Sequence, residues 1–181
     1  MIQDILKNMG QFSATEVALF ETLTTIKSFD KKDILLKEGE ICRSAFFILS
    51  GCFFQFQSND VTEIIIDLHV QNEWMFNHQS LVEQSPSKTV IEAFAKSEVI
   101  ELRLESLHCL IAKSQSFLQL AKIFNQLNSR THLFDNSLNP TQKYTYIKEV
   151  KPLVSQMFPI KMIASYLKIA PETLSRVRAN Y

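Results

Sequence analysis

The chain has 181 residues, 46% hydrophobic and 21% charged, and its 19 Lys and Arg balance 19 Asp and Glu to a formal net charge of zero. That is a soluble globular composition, able to fill the core of one domain or of two small ones. It holds no apolar run near the ~20 residues that span a bilayer, and "MIQDILKNMG" lacks the basic start and long apolar stretch of a signal peptide. Cys42, Cys52 and Cys109 are scattered and odd in number, which argues against a disulfide framework and fits a reducing cytoplasm.

In chain order, "SATEVALFETLTTIKSFD" opens with Ser13 as an N-cap, and Val17, Leu19, Phe20, Leu23 and Ile26 follow helical spacing. Next, "DILLKEGE", "SAFFILSG", "CFFQFQS", "VTEIIIDLHV" and "TVIEAFAKSEVIELRL" are short β-branched and aromatic runs separated by turn residues. Several alternate apolar with polar, as at Ile100, Leu102 and Leu104. Many short strands at regular spacing predict an antiparallel sandwich or barrel-like roll. Gly39 and Gly51 fall between these runs, where a positive φ is cheap for glycine.

After "SLHCLIAKS", the residues Phe117, Leu120, Phe124, Leu127, Thr131 and Phe134 follow a 3-4-3-4-3 spacing, the seam of a helix meeting another helix. The span is under three heptads, so it fits a helix packed on its own roll as well as a dimerisation helix. "DNSLNP", from Asp135 to Pro140, reads as a hinge, and the pattern beyond it is helical to the end. The expected class is α+β. A β-roll covers residues 1–113, a long dimerisation helix 114–136, and a basic helical domain 137–181.

Zero net charge divides unevenly along this plan. Residues 137–181 hold Lys143, Lys148, Lys151, Lys161, Lys168, Arg176 and Arg178 against Glu149 and Glu172, an excess of +5 that the rest of the chain cancels. A basic tail domain on an acidic body points to nucleic acid, although a plain solvated surface can carry the same excess.

The last two helices carry the sharpest pattern. Ile160, Ile163, Ala164 and Leu167 form a narrow inward stripe on the first. "KIA" is the turn, Ile169 can plug the gap between the helices, and Pro171 suits the first turn of the second helix. On that helix Leu174 and Val177 point one way, while Glu172, Ser175 and Arg176 cluster opposite. Acid, hydroxyl and guanidinium on one exposed face fit base-edge reading: Arg bonds bidentately to guanine, Glu accepts from cytosine N4, and Ser serves either. Lys161, Lys168, Pro171, Thr173 and Arg178 would flank that face toward phosphates. The plainer alternative is a Glu172–Arg176 surface pair worth a few tenths of a kcal/mol.

"IASYLKIAPETLSRVR" resembles the C-terminal helix-turn-helix of the Crp/Fnr superfamily of bacterial transcription regulators, with the Glu172, Ser175 and Arg176 set closest to the Fnr-like branch. "KYTYIKEVKPLVSQMFP" is similar to the helical lead-in of Bacteroidetes-type members, and "KKDILLKEGEICRSAFFILSGCFFQF" resembles the start of a cyclic-nucleotide-binding-like roll. The resemblance implies a winged-helix or helix-turn-helix domain and a homodimer joined through the long helix. Its two recognition helices would sit in successive major grooves of a near-palindromic operator, with half-sites ~34 Å apart. RNA polymerase is a further expected partner, and with the sparse His pattern no enzymatic activity is expected.

The pattern departs from the family in two places. Members that bind cyclic AMP carry a Gly-Glu and, further on, an Arg for the cyclic phosphate. Within "QNEWMFNHQSLVEQSPSKTVIEAF" no Gly-Glu occurs, Ser87 takes the Arg position, and Glu73 and Lys88 are nearby but shifted. Lys lacks the planar fork that grips a phosphate, so ordinary cyclic-nucleotide binding is not expected. In the terminal pair, Lys168 stands where the turn commonly has Gly, and Ala170 stands where Ser or Thr often caps the recognition helix.

No cofactor or metal is expected. The cysteines do not cluster as iron–sulfur ligands, and neither a phosphate loop nor a nucleophile elbow is present. Haem ligation by His69, His78, His108 or His132 stays open, although a lone His is far more often a surface or satisfied residue, and adjacent His108 and Cys109 lack further spaced metal ligands. The effector, if any, is unassigned. Two other classes stay open: a small-molecule or cyclic-nucleotide sensor whose terminal domain contacts protein, and an enzyme on a cupin-like roll.

Overall fold

A computed structural model describes residues 1–58, 62–125 and 138–180. Two short helices, α1 (Ile2–Lys7) and α2 (Ala14–Thr22), precede eight strands in two four-stranded sheets. The strands are β1 (Thr25–Phe29), β2 (Ile34–Leu36), β3 (Ser44–Ser50), β4 (Cys52–Ser58), β5 (Glu63–Val70), β6 (Trp74–Met75), β7 (Val90–Ala93) and β8 (Ser97–Arg103). Sheet one runs β1-β8-β3-β6 and sheet two β2-β7-β4-β5, and every pairing is antiparallel. Helix α3 (His78–Glu83) lies between β6 and β7, and α4 (Leu104–Lys113) follows β8.

Sequence alternation decides which side chains meet between the sheets. Phe46 and Ile48 of β3, Phe53 of β4, Ile91 and Ala93 of β7 and Val99 of β8 form the inner core. Their neighbours Ala45, Phe47, Ile100 and Leu102 point outward from sheet one and are covered by Ile5, Leu6, Phe20, Leu107 and Leu110. Both faces of these strands are therefore buried, which is why "SAFFILSG" and "CFFQFQS" read as near-continuous apolar runs. Gly51 turns β3 into β4 at φ +82°, and a Cβ there would collide with the Ser97 hydroxyl and the Lys96 carbonyl.

Ser13 caps α2 as the sequence suggests: its Oγ accepts from the Glu16 N–H at 3.3 Å, and the Glu16 carboxylate accepts from the Ser13 N–H at 2.7 Å. The helix ends at Thr22, however, and Ile26 is an exposed residue of β1 facing Ile100. The β-branched run Thr24, Thr25, Ile26 favours the extended chain over another helical turn.

Beyond Ser114 the expected continuous α-helix begins as a 3₁₀ segment, Gln115–Ala121, followed by α5 (Lys122–Asn125). Phe117 and Leu120 are fully buried in the sheet-one core, and Phe124 is half-buried with its ring 5.5 Å from Phe76. The first residues of the proposed seam thus serve the protein's own roll. Leu127, Thr131 and Phe134 lie outside the described residues, as does the first half of the "DNSLNP" hinge.

Among the described residues the helices α6 (Pro140–Val150), α7 (Val154–Met157), α8 (Ile160–Leu167) and α9 (Pro171–Ala179) follow. They pack on the outer face of sheet two. Cys52, Phe54, Phe56, Ile65, Leu68 and Val70 share one cluster with Tyr144, Ile147, Val154, Phe158, Ile163, Tyr166, Leu167 and Leu174. The molecule is therefore layered as helices, sheet, sheet, helices. Of the expected wing, no strand lies among the described residues after Arg103.

Candidate nucleic-acid interface

The α8–turn–α9 unit is built from inside outward. Ile163, Ala164 and Leu167 of the inward stripe are fully buried, Ile160 is half-buried, and Leu174 of α9 is buried against them. Ala164 has no bulk beyond its Cβ, so the helices can cross closely there. Lys168 ends α8 in the left-handed region at φ 53°, ψ 48°. This geometry lets the Ile169 N–H donate back to the Ala164 carbonyl at 3.0 Å and the Lys168 N–H to Ser165 at 3.1 Å, the paired bonds that close a helix end. Ile169 packs on the same cluster.

Buried Lys143 of α6 donates to the Leu167 carbonyl at 3.2 Å, placing a cation at the C-terminus of α8 where the helix dipole favours one. α9 starts at Pro171 with Ala170 as an N-cap that supplies no side-chain bond.

Packing Leu174 inward, with Val177 half-buried beside it, turns the opposite face of α9 to solvent. Glu172, Ser175 and Arg176 are exposed there, with Arg178 beyond them. None of the four makes a side-chain hydrogen bond or ion pair among the described residues, and Glu172 and Arg176 are not paired. Pro171 and Thr173 are half-buried at the start of the helix. Lys161 and Lys168 are exposed at opposite ends of α8. Lys161 also borders a 320 Å³ cleft against the roll, together with Lys31, Lys32, Glu63 and Glu92.

The charge count of the tail changes on folding. Lys143 is consumed by the α8 carbonyl, and Lys151 pairs with Asp67 at 3.3 Å and Glu73 at 3.0 Å. Lys148, Lys161, Lys168, Arg176 and Arg178 are the tail cations left exposed. The sequence could not separate these sets, because the partners of Lys143 and Lys151 are distant in the chain.

Inside the roll, the stretch that the resemblance sets against a cyclic-nucleotide site holds a network of uncharged side chains, in which the buried Gln55 Oε1 has no hydrogen-bond partner. Asn77 Nδ2 donates to Ser87 Oγ at 2.9 Å and to Thr89 Oγ1 at 2.8 Å, and Gln55 Nε2 donates to Thr89 Oγ1 at 2.6 Å. All four residues are buried. Lys88 is exposed, and Glu73 is turned to Lys151, with burial raising its carboxyl and the Lys151 charge opposing that rise. Gln55, Asn77 and Thr89 were not singled out from sequence, where uncharged polar residues inside β runs carry no distinctive signal.

His69 is buried 3.7 Å from the Asp67 carboxylate, His78 stacks loosely near Phe76, His108 and Cys109 are exposed on α4, and His132 lies outside the described residues. Among the described residues no three His, Cys, Asp or Glu side chains gather as a metal site, and no helix is long and apolar enough to cross a membrane.

Fold and site together define a β-roll with a helical pair docked on one sheet and an exposed polar face on the last helix. Residues 26–114 match the cyclic nucleotide-binding domain family. No curated protein matches the sequence. The fold is similar to solved structures of transcription-regulator type. FixK2 from Bradyrhizobium japonicum shares 15% identity over 87% of this chain and 83% of that one, with a TM-score of 0.65. The catabolite activator protein of Thermus thermophilus shares 17% identity over 93% and 83%, with a TM-score of 0.57. CLP, the c-di-GMP responsive global regulator of Xanthomonas campestris, shares 14% identity over 93% and 91%, with a TM-score of 0.58. At these identities the likeness is one of fold.

Proposed function

We propose that the chain is a sequence-specific DNA-binding transcription regulator that acts as a homodimer on a near-palindromic operator, with a roll that does not bind cyclic AMP in the usual way. The observation that carries this reading is the exposed, unpaired Glu172, Ser175 and Arg176 face on a helix held rigidly by buried Leu174. Arg176 would grip guanine, Glu172 would accept from cytosine, and Ser175 would bond either base. Lys161, Lys168 and Arg178 would hold phosphates and set register, with Pro171 and Thr173 beside the backbone.

The division into roll (1–113), dimer helix (114–136) and DNA-binding domain (137–181) belongs to the same proposal. The dimer seam proposed for that helix is Phe117, Leu120, Phe124, Leu127, Thr131 and Phe134, of which Phe117 and Leu120 are buried in the roll. DNA, a second copy of the chain and RNA polymerase are the proposed partners; cytoplasm is the proposed location.

Selection of bound duplexes from a random pool tests the reading. An enriched inverted repeat and a steep log–log dependence of affinity on salt are expected. Arg176→Ala should weaken binding to the enriched sequence by ~1–3 kcal/mol and leave binding to random duplex nearly unchanged. No enrichment together with a flat salt dependence would instead favour a terminal domain that contacts protein.

A further inference from the structure

Among the described residues β5 is an edge strand, paired only with β4. The outward N–H and C=O groups of an edge need partners or exposure to water. Here the helical module supplies partners. The Ile65 N–H donates to Ser165 Oγ of α8 at 3.2 Å. Lys151, the residue that ends α6, donates to the Leu68 carbonyl at 2.9 Å, and its Nζ also lies 3.3 Å from Asp67 Oδ1 and 3.0 Å from Glu73 Oε2. An ammonium has three donors, and the three acceptors match them. The Lys151 side chain is only 15% exposed, and Pro152 follows directly, fixing the backbone behind it.

The surrounding contact is apolar, and apolar contact is non-directional. Phe56, Ile65, Phe158 and Tyr166 could hold the module against sheet two in more than one rotation. A largely covered cation with three specified acceptors tolerates far fewer arrangements. In the docked position, Glu172, Ser175 and Arg176 stay exposed.

We infer that Lys151 is a positioning residue: by bolting α6 to the β5 edge through Asp67, Glu73 and the Leu68 carbonyl, it fixes the direction in which the roll presents the α9 reading face to DNA. The inference rests on the DNA-binding reading for its consequence, but the bolt itself concerns the protein alone. Two recognition helices reach two half-sites together only when each is held at one orientation, and avidity is lost when geometry forbids simultaneous engagement.

The test compares the full-length chain with Lys151→Met and with the triple variant Lys151→Met, Asp67→Asn, Glu73→Gln. The triple variant removes the bolt without leaving buried Asp67 and half-buried Glu73 as unpaired carboxylates, so it stands if the single variant fails to fold. Hydrogen exchange of the 63–70 segment is read without DNA. It should quicken about tenfold or more in the triple variant while 44–58 stays protected. Unchanged exchange at 63–70 overturns the bolt, whatever the protein binds.

Affinity is then measured for the duplex selected by the wild-type chain and for the same duplex with its half-sites moved one base pair apart. The triple variant should bind the selected duplex about tenfold or more weakly and lose most of the wild-type preference between the two spacings. Quickened exchange with affinity and spacing preference intact overturns the positioning role. A wild-type chain that selects no duplex, yet shows the exchange difference, overturns the DNA-binding reading and leaves the bolt standing.

Discussion

At Lys168 the chain holds a side chain in backbone geometry that favours none. Its φ of 53° places Cβ against the following carbonyl, at a cost of about 1 kcal/mol. Two residues on, Ala170 caps α9 without a side-chain acceptor, which forgoes roughly 1 kcal/mol. Ala170→Ser should therefore raise unfolding stability by about 1 kcal/mol in a urea titration, because the hydroxyl can accept an N–H of the first turn. Lys168→Gly should be stabilising by less, since glycine's freedom in the unfolded chain offsets part of the relief. It should also lower the salt slope of DNA binding by about one if Lys168 holds a phosphate. Both departures were legible in the sequence, because turn and cap chemistry act between neighbours. Lys143 and Lys151 were counted there as part of a basic surface, and they are not on it. Lys143 finds a carbonyl 24 residues away and Lys151 a carboxylate 84 residues away, which no local pattern records.

Elements separate in the same way. β3, β4, β5 and β8 were readable because each is a run of seven or eight residues with β-branched or aromatic content. The two-residue β6 and the six-residue α3 were not, being shorter than any period that could reveal them. The 115–121 segment shows how a true spacing supports a wrong helix type: residues three apart, such as Phe117 and Leu120, share a face in a 3₁₀ segment as they nearly do in an α-helix. That segment is tied to α2 by Ser114 Oγ, which donates to Glu16 at 2.6 Å. Hydrogen bonds from Ser114, and then from Ser13 and Ser116, hold the Glu16 carboxyl at about 2. Glu101 in sheet one is also lowered; its burial acts the other way, but Lys27 at 2.8 Å and Ser44 at 2.8 Å outweigh it. A carboxyl lowered by folding stabilises above its unfolded value of ~4.3 and loses that contribution as pH falls toward its folded one. The urea midpoint should thus drop below about pH 4.5, and the drop should be shallower in Glu16→Gln combined with Glu101→Gln. Glu73 and Glu92 titrate in the opposite sense, burial raising both. The difference between variant and wild type, not the wild-type slope alone, is the diagnostic.

For the molecule as a whole, the helical module and the roll share one core, and the Gln55, Asn77, Ser87 and Thr89 network inside the roll is uncharged. The resemblance made a roll and a helix pair expected; their docking through the outer face of sheet two was not, since it depends on surfaces more than 80 residues apart such as β5 and α7. Where an anionic effector of the cyclic-nucleotide kind would lie, the hydroxyl of Ser87 donates to the Thr89 carbonyl at 2.6 Å and accepts from Asn77, so the position is already satisfied. Lys88, adjacent to Ser87 in the chain, is exposed. A cyclic phosphate placed there would displace neutral hydrogen bonds and find no cation, and burying an unpaired anion costs several kcal/mol or more. Cyclic AMP at ~1 mM should therefore leave the thermal unfolding midpoint unchanged, whereas a site with a Kd of ~10 μM would add ~2.7 kcal/mol. For a chain of this size that stabilisation would appear as a rise of roughly 5–10 °C. A rise of that size, abolished by Asn77→Ala but not by Lys151→Met, would show that the network opens to admit the nucleotide and that the roll is a working sensor.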